Sequence, residues 1–155
     1  MAPAYVANAS APLVRYWTGW NRPISRRWLG SHKTVVGCAA GVSGALVTSL
    51  IQHALARDVG LVNDTHWAVT GLRFGVGAMG GDAVKSFFKR RLGVAPGQPW
   101  IPFDQLDFVV GALILVAPWD SLTTSDLALL LGLTFVGHVV VNHAAYALGV
   151  RDVKW

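Results

Sequence analysis

Charged side chains with chemical potential are concentrated in residues 80–108, which read GGDAVKSFFKRRLGVAPGQPWIPFDQLDF. No helix-breaking residue lies between Asp82 and Gly93, which predicts a helix. Spacings of three, four, seven and eight residues place five polar side chains on one face of it: Asp82, Lys85, Ser86, Lys89 and Arg90. A carboxylate, a hydroxyl and several cations on one face suit a phosphate chain together with a metal ion.

Two further carboxylates, Asp104 and Asp107, follow a turn-rich passage at the start of the next apolar run. If that run is helical, they point the same way. Together with Asp82 they form the hard oxygen set that Mg²⁺ takes when substrate phosphates also hold it. We therefore predict that these three aspartates are catalytic metal ligands and that Lys85 and Lys89 are the catalytic cations beside them.

The same residues have a purely structural interpretation. Basic residues at the end of an apolar span, as in residues 89–91, are typical of an anchor at the membrane surface. Asp104 could be an ordinary helix N-cap, with Asp107 in the first turn. The two interpretations differ in whether the aspartates are needed: a metal site requires them, whereas a membrane anchor requires only the basic residues.

Composition predicts a membrane protein of one domain. Of the 155 residues, 53% are hydrophobic and 14% are charged, and all eight acids are aspartate. The formal charge of +5 comes from basic residues grouped in loops between apolar runs. This distribution favours anionic lipid and nucleotide as partners over nucleic acid.

Five apolar runs predict an all-α, polytopic transmembrane bundle of about five spans, with loops forming the site. The runs cover residues 2–14, 35–56, 67–79, 108–119 and 127–148. The first is short of the roughly 20 residues that a helix needs to cross the hydrocarbon core. Arg73 lies inside the third run, where we expect it to snorkel or to pair with an aspartate: Asp58, Asp64 or Asp120.

Charge asymmetry predicts the topology. Basic residues fill the first loop (15–34), the third loop (80–108) and the tail (149–155), whereas Arg57 is the single base of the loops on the other side. In loop 15–34 they alternate with tryptophan, as at a membrane interface; stacking on single-stranded nucleic acid is the alternative, but no soluble domain surrounds the loop. Since positive loops stay inside, the candidate site is predicted to face the cytoplasm.

The central segment also resembles a known family. GDAVKSFFKRRLG followed by PWIPFDQLDFVVGAL is similar to the core signature of the CDP-archaeol synthases, integral membrane cytidylyltransferases more distantly similar to CDP-diacylglycerol synthases. The resemblance implies Mg²⁺-dependent transfer of CMP from CTP to 2,3-bis-O-geranylgeranylglycerol 1-phosphate, which gives CDP-archaeol and pyrophosphate. On this interpretation Ser86 and Arg90 contact the triphosphate, and Arg91, on the opposite side of the helix, contacts lipid headgroups.

Two further stretches resemble motifs of the same family. LGSHKT is similar to a motif in which Ser31, Lys33 and Thr34 would reach the nucleotide phosphates. The family pattern continues with an aromatic residue and an arginine, whereas this chain has valine at 35 and 36.

Residues near the C-terminus resemble the closing motif of the family, although Lys154 stands where proline is common. His138 and Asn142 lie one turn apart on one face, and His143 is rotated away, so the two histidines do not form a zinc pair. We predict that His138 and Asn142 contact substrate; a helix-to-helix hydrogen bond is the alternative.

Two other functions remain open at this level. The same chemistry could act on another glycerophospholipid precursor, such as phosphatidic acid, because nothing in the spans reports the lipid chains. A non-catalytic protein that binds anionic lipid would also carry these bases, without needing the aspartates.

Overall fold

The computed structural model describes residues 1–14, 21–59, 66–95, 98–119 and 121–149, with the side chains of 57–59 left outside the description. Five α-helices follow one another: α1 (Ala2–Leu13), α2 (Val35–Val59), α3 (Trp67–Arg91), α4 (Phe103–Val116) and α5 (Thr124–Ala147). Among these residues the only extended pairing is an isolated bridge between Pro23 and Thr34. The predicted all-α class is confirmed.

Helix α3 is continuous from its apolar part into the charged segment. The helix ends after Lys89, Arg90 and Arg91, whose positive charges favour a helix C-terminus. Gly93 follows at a φ of +71°, a left-handed conformation that glycine adopts without strain. The charged face and the apolar helix are therefore one rigid element, as the absence of a breaker predicted.

Helix α4 begins five residues before the apolar run predicted at 108–119. Pro102 is its N-cap, and Asp104 lies in its first turn. Asp107 is therefore helical as well, and the N-terminal end of α4 carries the carboxylates of both Asp104 and Asp107. At about 1.5 Å per residue, the 14 residues of α4 are about 21 Å long, below the ~30 Å of a bilayer core.

Two of the described helices are long and apolar enough to cross a membrane, over Val35–Ala56 and Thr124–Ala147. Helix α1 has 12 residues and is short, as predicted. The five predicted runs thus correspond to five helices, of which two meet the length and composition of a full span.

Small residues let the first four helices approach closely. Ala4, Ala7, Ala45, Ala78 and Ala112 are fully buried between them. A Cβ on Gly77 would lie 2.6 Å from the carbonyl oxygen of Gly111. Contact this close is possible only without a side chain, so glycine determines how near α4 lies to α3.

Helix α5 packs against α4 and leaves most of its surface exposed. Thr134 is its one buried residue, and its hydroxyl lies 2.5 Å from that of Tyr5 on α1. The apolar side chains exposed on α5 include Leu129, Leu133, Val136, Val140 and Val141. A helix with so much exposed apolar surface suits contact with lipid.

Arg73 lies with its guanidinium carbon 4.1 Å from the centroid of the Trp119 ring. This cation–π contact is the partner that the structure describes for the charge. The side chains of Asp58, Asp64 and Asp120 lie outside the described residues, as do 15–20 of the first loop and the closing stretch 150–155.

Candidate active site

Three carboxylates meet at the ammonium group of Lys85. Its Nζ lies 2.9 Å from Oδ2 of Asp107, 3.0 Å from Oδ1 of Asp104 and 3.3 Å from Oδ1 of Asp82. Asp82 and Lys85 belong to α3, and the other two belong to α4. The structure thus brings together the aspartates that the sequence predicted would cooperate.

Lys89, one turn after Lys85, extends the cluster along α3. Its Nζ lies 3.0 and 2.8 Å from the two oxygens of Asp104. The backbone N–H of Trp100 donates to the same carboxylate at 2.6 Å. Burial would raise the pKa of Asp104, but the hydrogen bond from Lys89 and the charge of Lys85 lower it below its usual value. Asp104 therefore ties the loop before α4 to α3.

Lys33 reaches the cluster from the loop before α2, where it forms an ion pair with Asp82. Two local contacts hold it there. The Ile24 N–H donates to the Lys33 carbonyl at 2.8 Å, and Thr34 caps α2 by accepting from the Gly37 N–H at 3.1 Å. Three separate stretches of chain thus meet at Asp82 and Lys85.

These ion pairs shift the pKa values of Asp82, Lys85 and Asp107, which lie in the sequence between the apolar runs 67–79 and 108–119. Burial alone would raise the pKa of Asp82, but the charges of Lys33 and Lys85 outweigh it and lower the pKa. Burial and the charge of Asp82 together raise the pKa of Asp107 to about 6, although the charge of Lys85 lowers it. Burial opposes the charge on Lys85, but Asp107 and Asp82 raise its pKa.

The donor chemistry of the cluster fits Mg²⁺, since three carboxylates of hard oxygen converge from two helices. Their common neighbour is the Lys85 ammonium. Within the described ranges, no three histidine, cysteine or acidic side chains are already arranged around a shared ion position. A metal ion would therefore share the carboxylates with the lysines.

Two cavities that differ in polarity adjoin the cluster. An apolar groove of about 740 Å³ runs between α3 and α4, and Lys85 and Asp107 are among the residues that line it. Its walls include Val84, Phe88, Phe103, Leu106, Val110 and Ile114. A more polar cavity of about 330 Å³ lies between α1, α2 and α3 and is lined by Lys33 and Asp82. The ion pairs thus separate an apolar space from a polar one.

Comparison with known proteins identifies a family for this chain. A family model described as CarS-like, CDP-archaeol synthase, matches residues 1–155. The chain belongs to the CDP-archaeol synthase family. It is 38% identical to the CDP-archaeol synthase of Methanospirillum hungatei JF-1, with 100% of both chains covered. It is 39% identical to that of Halobacterium salinarum strain R1, with 100% of this chain and 93% of the relative covered.

A solved structure is similar as well. It is described as "Structural insight into an intramembrane enzyme for archaeal membrane lipids biosynthesis" and aligns with a TM-score of 0.77 at 31% identity, covering 92% of this chain and 89% of the other. The predictions of the family, of a membrane protein and of an enzyme of the cytidylyltransferase class are confirmed.

The other polar residues predicted for this CDP-archaeol synthase family member have different surroundings. The Ser86 hydroxyl donates to the Asp82 carbonyl at 2.8 Å, within the helix. The Thr34 hydroxyl caps α2 and also lines the polar cavity, whereas Ser31 is exposed. Substrate contacts by these three residues stay predictions.

Arg90 and Arg91 lie apart from the lysines. Both line a third pocket together with Arg27, Trp28 and Phe87. Helical spacing predicted Arg90 on the face of Asp82 and Lys85, but it lies at the edge of that face, and its side chain lies against the loop that carries Trp28.

His138 approaches the cluster through an aromatic neighbour. Its ring centroid lies 5.4 Å from that of Phe108, the residue after Asp107. Asn142 is half-buried one turn further along α5. His143 contacts the Val139 carbonyl through Nδ1 at 2.8 Å, so it is engaged within its own helix. The substrate roles of His138 and Asn142 stay predictions.

Two residues of the site in this family member were not predicted from the sequence. Asn8 of α1 lines the polar cavity, and the stretch PAYVAN around it, which resembles part of the family's first helix, was the available signal. Trp100 contributes its backbone N–H to Asp104. A backbone contact has no residue-type signature, so no pattern could have indicated it.

Proposed function

We propose that the protein transfers CMP from CTP to the phosphate of an archaeal membrane lipid, 2,3-bis-O-geranylgeranylglycerol 1-phosphate, and releases pyrophosphate. One observation carries the proposal: the ion-pair cluster lies between an apolar groove and a polar cavity. A reaction between a lipid and a nucleotide needs such a boundary, where each substrate reaches the same charged groups from its own side.

The reaction joins an oxygen of the lipid phosphate to the α-phosphorus of CTP. As this bond forms, the bond from the α-phosphorus to the oxygen that bridges to the β-phosphorus breaks, and pyrophosphate leaves with the electron pair. Such transfers depend on positioning and charge neutralisation more than on a covalent nucleophile. Lys33, Lys85 and Lys89 would neutralise the phosphate oxygens of the two substrates.

Charge balance supports a metal ion in this reaction. The formal charges of three lysines and three aspartates cancel within the cluster, so little positive charge remains for a triphosphate. Mg²⁺ would supply that charge and polarise the α-phosphate. Asp82, Asp104 and Asp107 are the residues that would hold it, directly or through water.

The lipid would lie in the groove between α3 and α4. Apolar walls suit isoprenoid chains, and Lys85, which also lines the groove, can attract the lipid phosphate. The same walls would accept the acyl chains of phosphatidic acid. The assignment of isoprenoid chains to the lipid therefore depends on membership of the CDP-archaeol synthase family. CTP would enter the polar cavity, which is lined by Asn8, His32 and Lys33.

The proposed topology is multi-pass, with the cluster on the cytoplasmic side of the membrane. The basic residues of the loop before α2 and of the C-terminal end of α3 lie at the same end of the helices as the ion-pair cluster. The positive-inside rule assigns that side to the cytoplasm, where CTP is found.

The deciding experiment incubates the purified protein with labelled CTP and a panel of lipid phosphates in liposomes, with Mg²⁺ or with EDTA. We expect labelled lipid-linked CMP only with Mg²⁺, and most rapidly with the geranylgeranylated acceptor. Faster conversion of phosphatidic acid would reassign the acceptor. Binding of anionic lipid without consumption of CTP on any acceptor would favour the non-catalytic alternative.

A further inference from the structure

A second cationic pocket lies at the C-terminal end of α3, beside the loop before α2. It has a volume of about 200 Å³ and is lined by Arg27, Trp28, Phe87, Arg90 and Arg91. We propose that this pocket, called here the arginine pocket, binds a phosphate group and is separate from the carboxylate–lysine cluster. The inference does not depend on the proposed cytidylyl transfer.

The helix separates the two sites. Phe87, Arg90 and Arg91 are spaced i, i+3 and i+4, so they share one face of α3. Lys85 and Lys89 lie about 160–200° around the helix from Phe87, at 100° per residue. The arginine pocket therefore faces away from the lysines that contact the aspartates.

Stacked aromatic rings hold the arginines in place. The rings of Trp28 and Phe87 are 5.7 Å apart at an interplanar angle of 18°. The guanidinium carbon of Arg91 lies 4.7 Å from the Trp28 centroid and 5.3 Å from that of Phe87, and that of Arg27 lies 5.4 Å from Trp28. Two like charges are thus held near one indole ring, an arrangement that a bound anion would stabilise.

No described acid neutralises these arginines. The ion pairs of the described residues all involve Lys33, Lys85 or Lys89. The pocket thus contains three guanidinium groups, the side chain best suited to bidentate binding of phosphate.

Arg90 provides a second observation. One of its nitrogens, Nη1, donates to the Val94 carbonyl at 2.9 Å. Its Nε is buried and has no hydrogen-bond acceptor among the residues described. Buried donors are normally satisfied, so an acceptor from a ligand would complete the site. Gly30, at a φ of +82°, lies against this side chain and keeps the loop close to it.

Two sources can present a phosphate here: a lipid headgroup or soluble phosphate. Arginines at the end of α3 lie beside Arg27 and Trp28 of the loop before α2, and arginine together with tryptophan is typical of the membrane interface, which favours a headgroup. The test therefore has one arm for each source. Dihexanoyl phosphatidylglycerol is the lipid probe, because its phosphodiester differs from the phosphomonoester acceptor of the proposed reaction. Inorganic pyrophosphate is the soluble probe.

The experiment measures the affinity of both probes by calorimetry for the full-length protein, for R27Q/R91Q and for the control R26Q. Arg26 is an exposed neighbour in the same loop that does not line the pocket, so the control removes the same kind of charge. We expect the double variant to bind at least one probe tenfold or more weakly, and R26Q to stay within twofold of the wild type.

Each outcome decides between the possibilities. Weaker binding of the lipid probe assigns a headgroup site, and weaker binding of pyrophosphate alone assigns a soluble phosphate site. Equal affinity of all three proteins for both probes overturns the inference, whatever the rate of CTP conversion. If R27Q/R91Q does not fold, the single variant R91Q provides the same comparison.

Discussion

Lys85 of α3 and Asp107 of α4 form an ion pair of 2.9 Å, and the Asp107 side chain is only 4% exposed. This contact joins the two helices that form the apolar groove, and both residues line that groove. Helix packing and site assembly therefore depend on the same pair of elements.

Replacing Asp107→Asn tests the charge at this position. The amide oxygen can still accept from the Phe108 N–H, as Oδ1 does now at 2.7 Å, so the fold should persist. We expect CTP conversion to fall by about 100-fold or more, because an aspartate needed for a metal ion and for Lys85 is neutralised. The rate of lipid-linked CMP formation in liposomes measures this.

The matched control for that variant is Asp126→Asn. Asp126 belongs to the capping box at the start of α5, and asparagine is also a good capping residue. Its activity should equal that of the wild type. Full activity in the Asp107 variant would contradict the metal role.

Two adjacent glycines test the packing of α3 on α4. A Cβ on Gly81 would collide with the Asp107 carbonyl oxygen, whereas nothing lies within 4 Å of a Cβ on Gly80. We expect Gly81→Ala to destabilise the protein by about 1–3 kcal/mol and to lower activity, because it displaces α4. Gly80→Ala should be neutral or stabilising by about 0.5–1 kcal/mol.

Thermal unfolding in detergent distinguishes these two variants. Equal melting temperatures for Gly80→Ala and Gly81→Ala would show that α4 is free to move away from α3.

The ion pair between Lys33 and Asp82 can be measured by a double-mutant cycle on the free energy of unfolding. Lys33→Met and Asp82→Asn should be non-additive, with a coupling energy of about 0.5–3 kcal/mol, because the side chains are in contact and mostly buried. Arg26→Gln combined with Asp82→Asn is the control. Arg26 has no described contact with Asp82, so those effects should add within about 0.5 kcal/mol.

Filling the groove tests where the lipid lies. Val110 lines it, and Val110→Trp should raise the KM for the lipid acceptor about tenfold, equivalent to ~1.4 kcal/mol. The KM for CTP should change less than twofold, because the polar cavity lies on the other side of the cluster. Val140→Trp, on the exposed surface of α5, is the control. An equal rise in both KM values would argue against a lipid groove.

Local patterns predicted what depends on neighbours in sequence. The run without a breaker after Asp82 predicted a continuous α3, and helical spacing predicted that Asp82, Lys85 and Lys89 would act together. The start of α4 was predicted five residues late, because Asp104 and Asp107 interrupt the apolar pattern while the helix continues through them.

Contacts across the chain depended on packing instead. Lys33 and Asp82 are 49 residues apart, and no local periodicity relates a loop to a distant helix. Arg90 lies at the edge of its helical face, and its side chain lies beside Gly30 of the loop before α2, a neighbour that helical spacing does not indicate.

The sequence by itself determined the helical class, the charged segment and the identity of the acids and lysines, because helix propensity, apolar periodicity and residue chemistry are local properties. Only the tertiary structure decided that the three aspartates surround Lys85 and that a groove and a cavity meet there. Those facts follow from how closely α4 approaches α3 at their glycines, which depends on the steric fit of two surfaces.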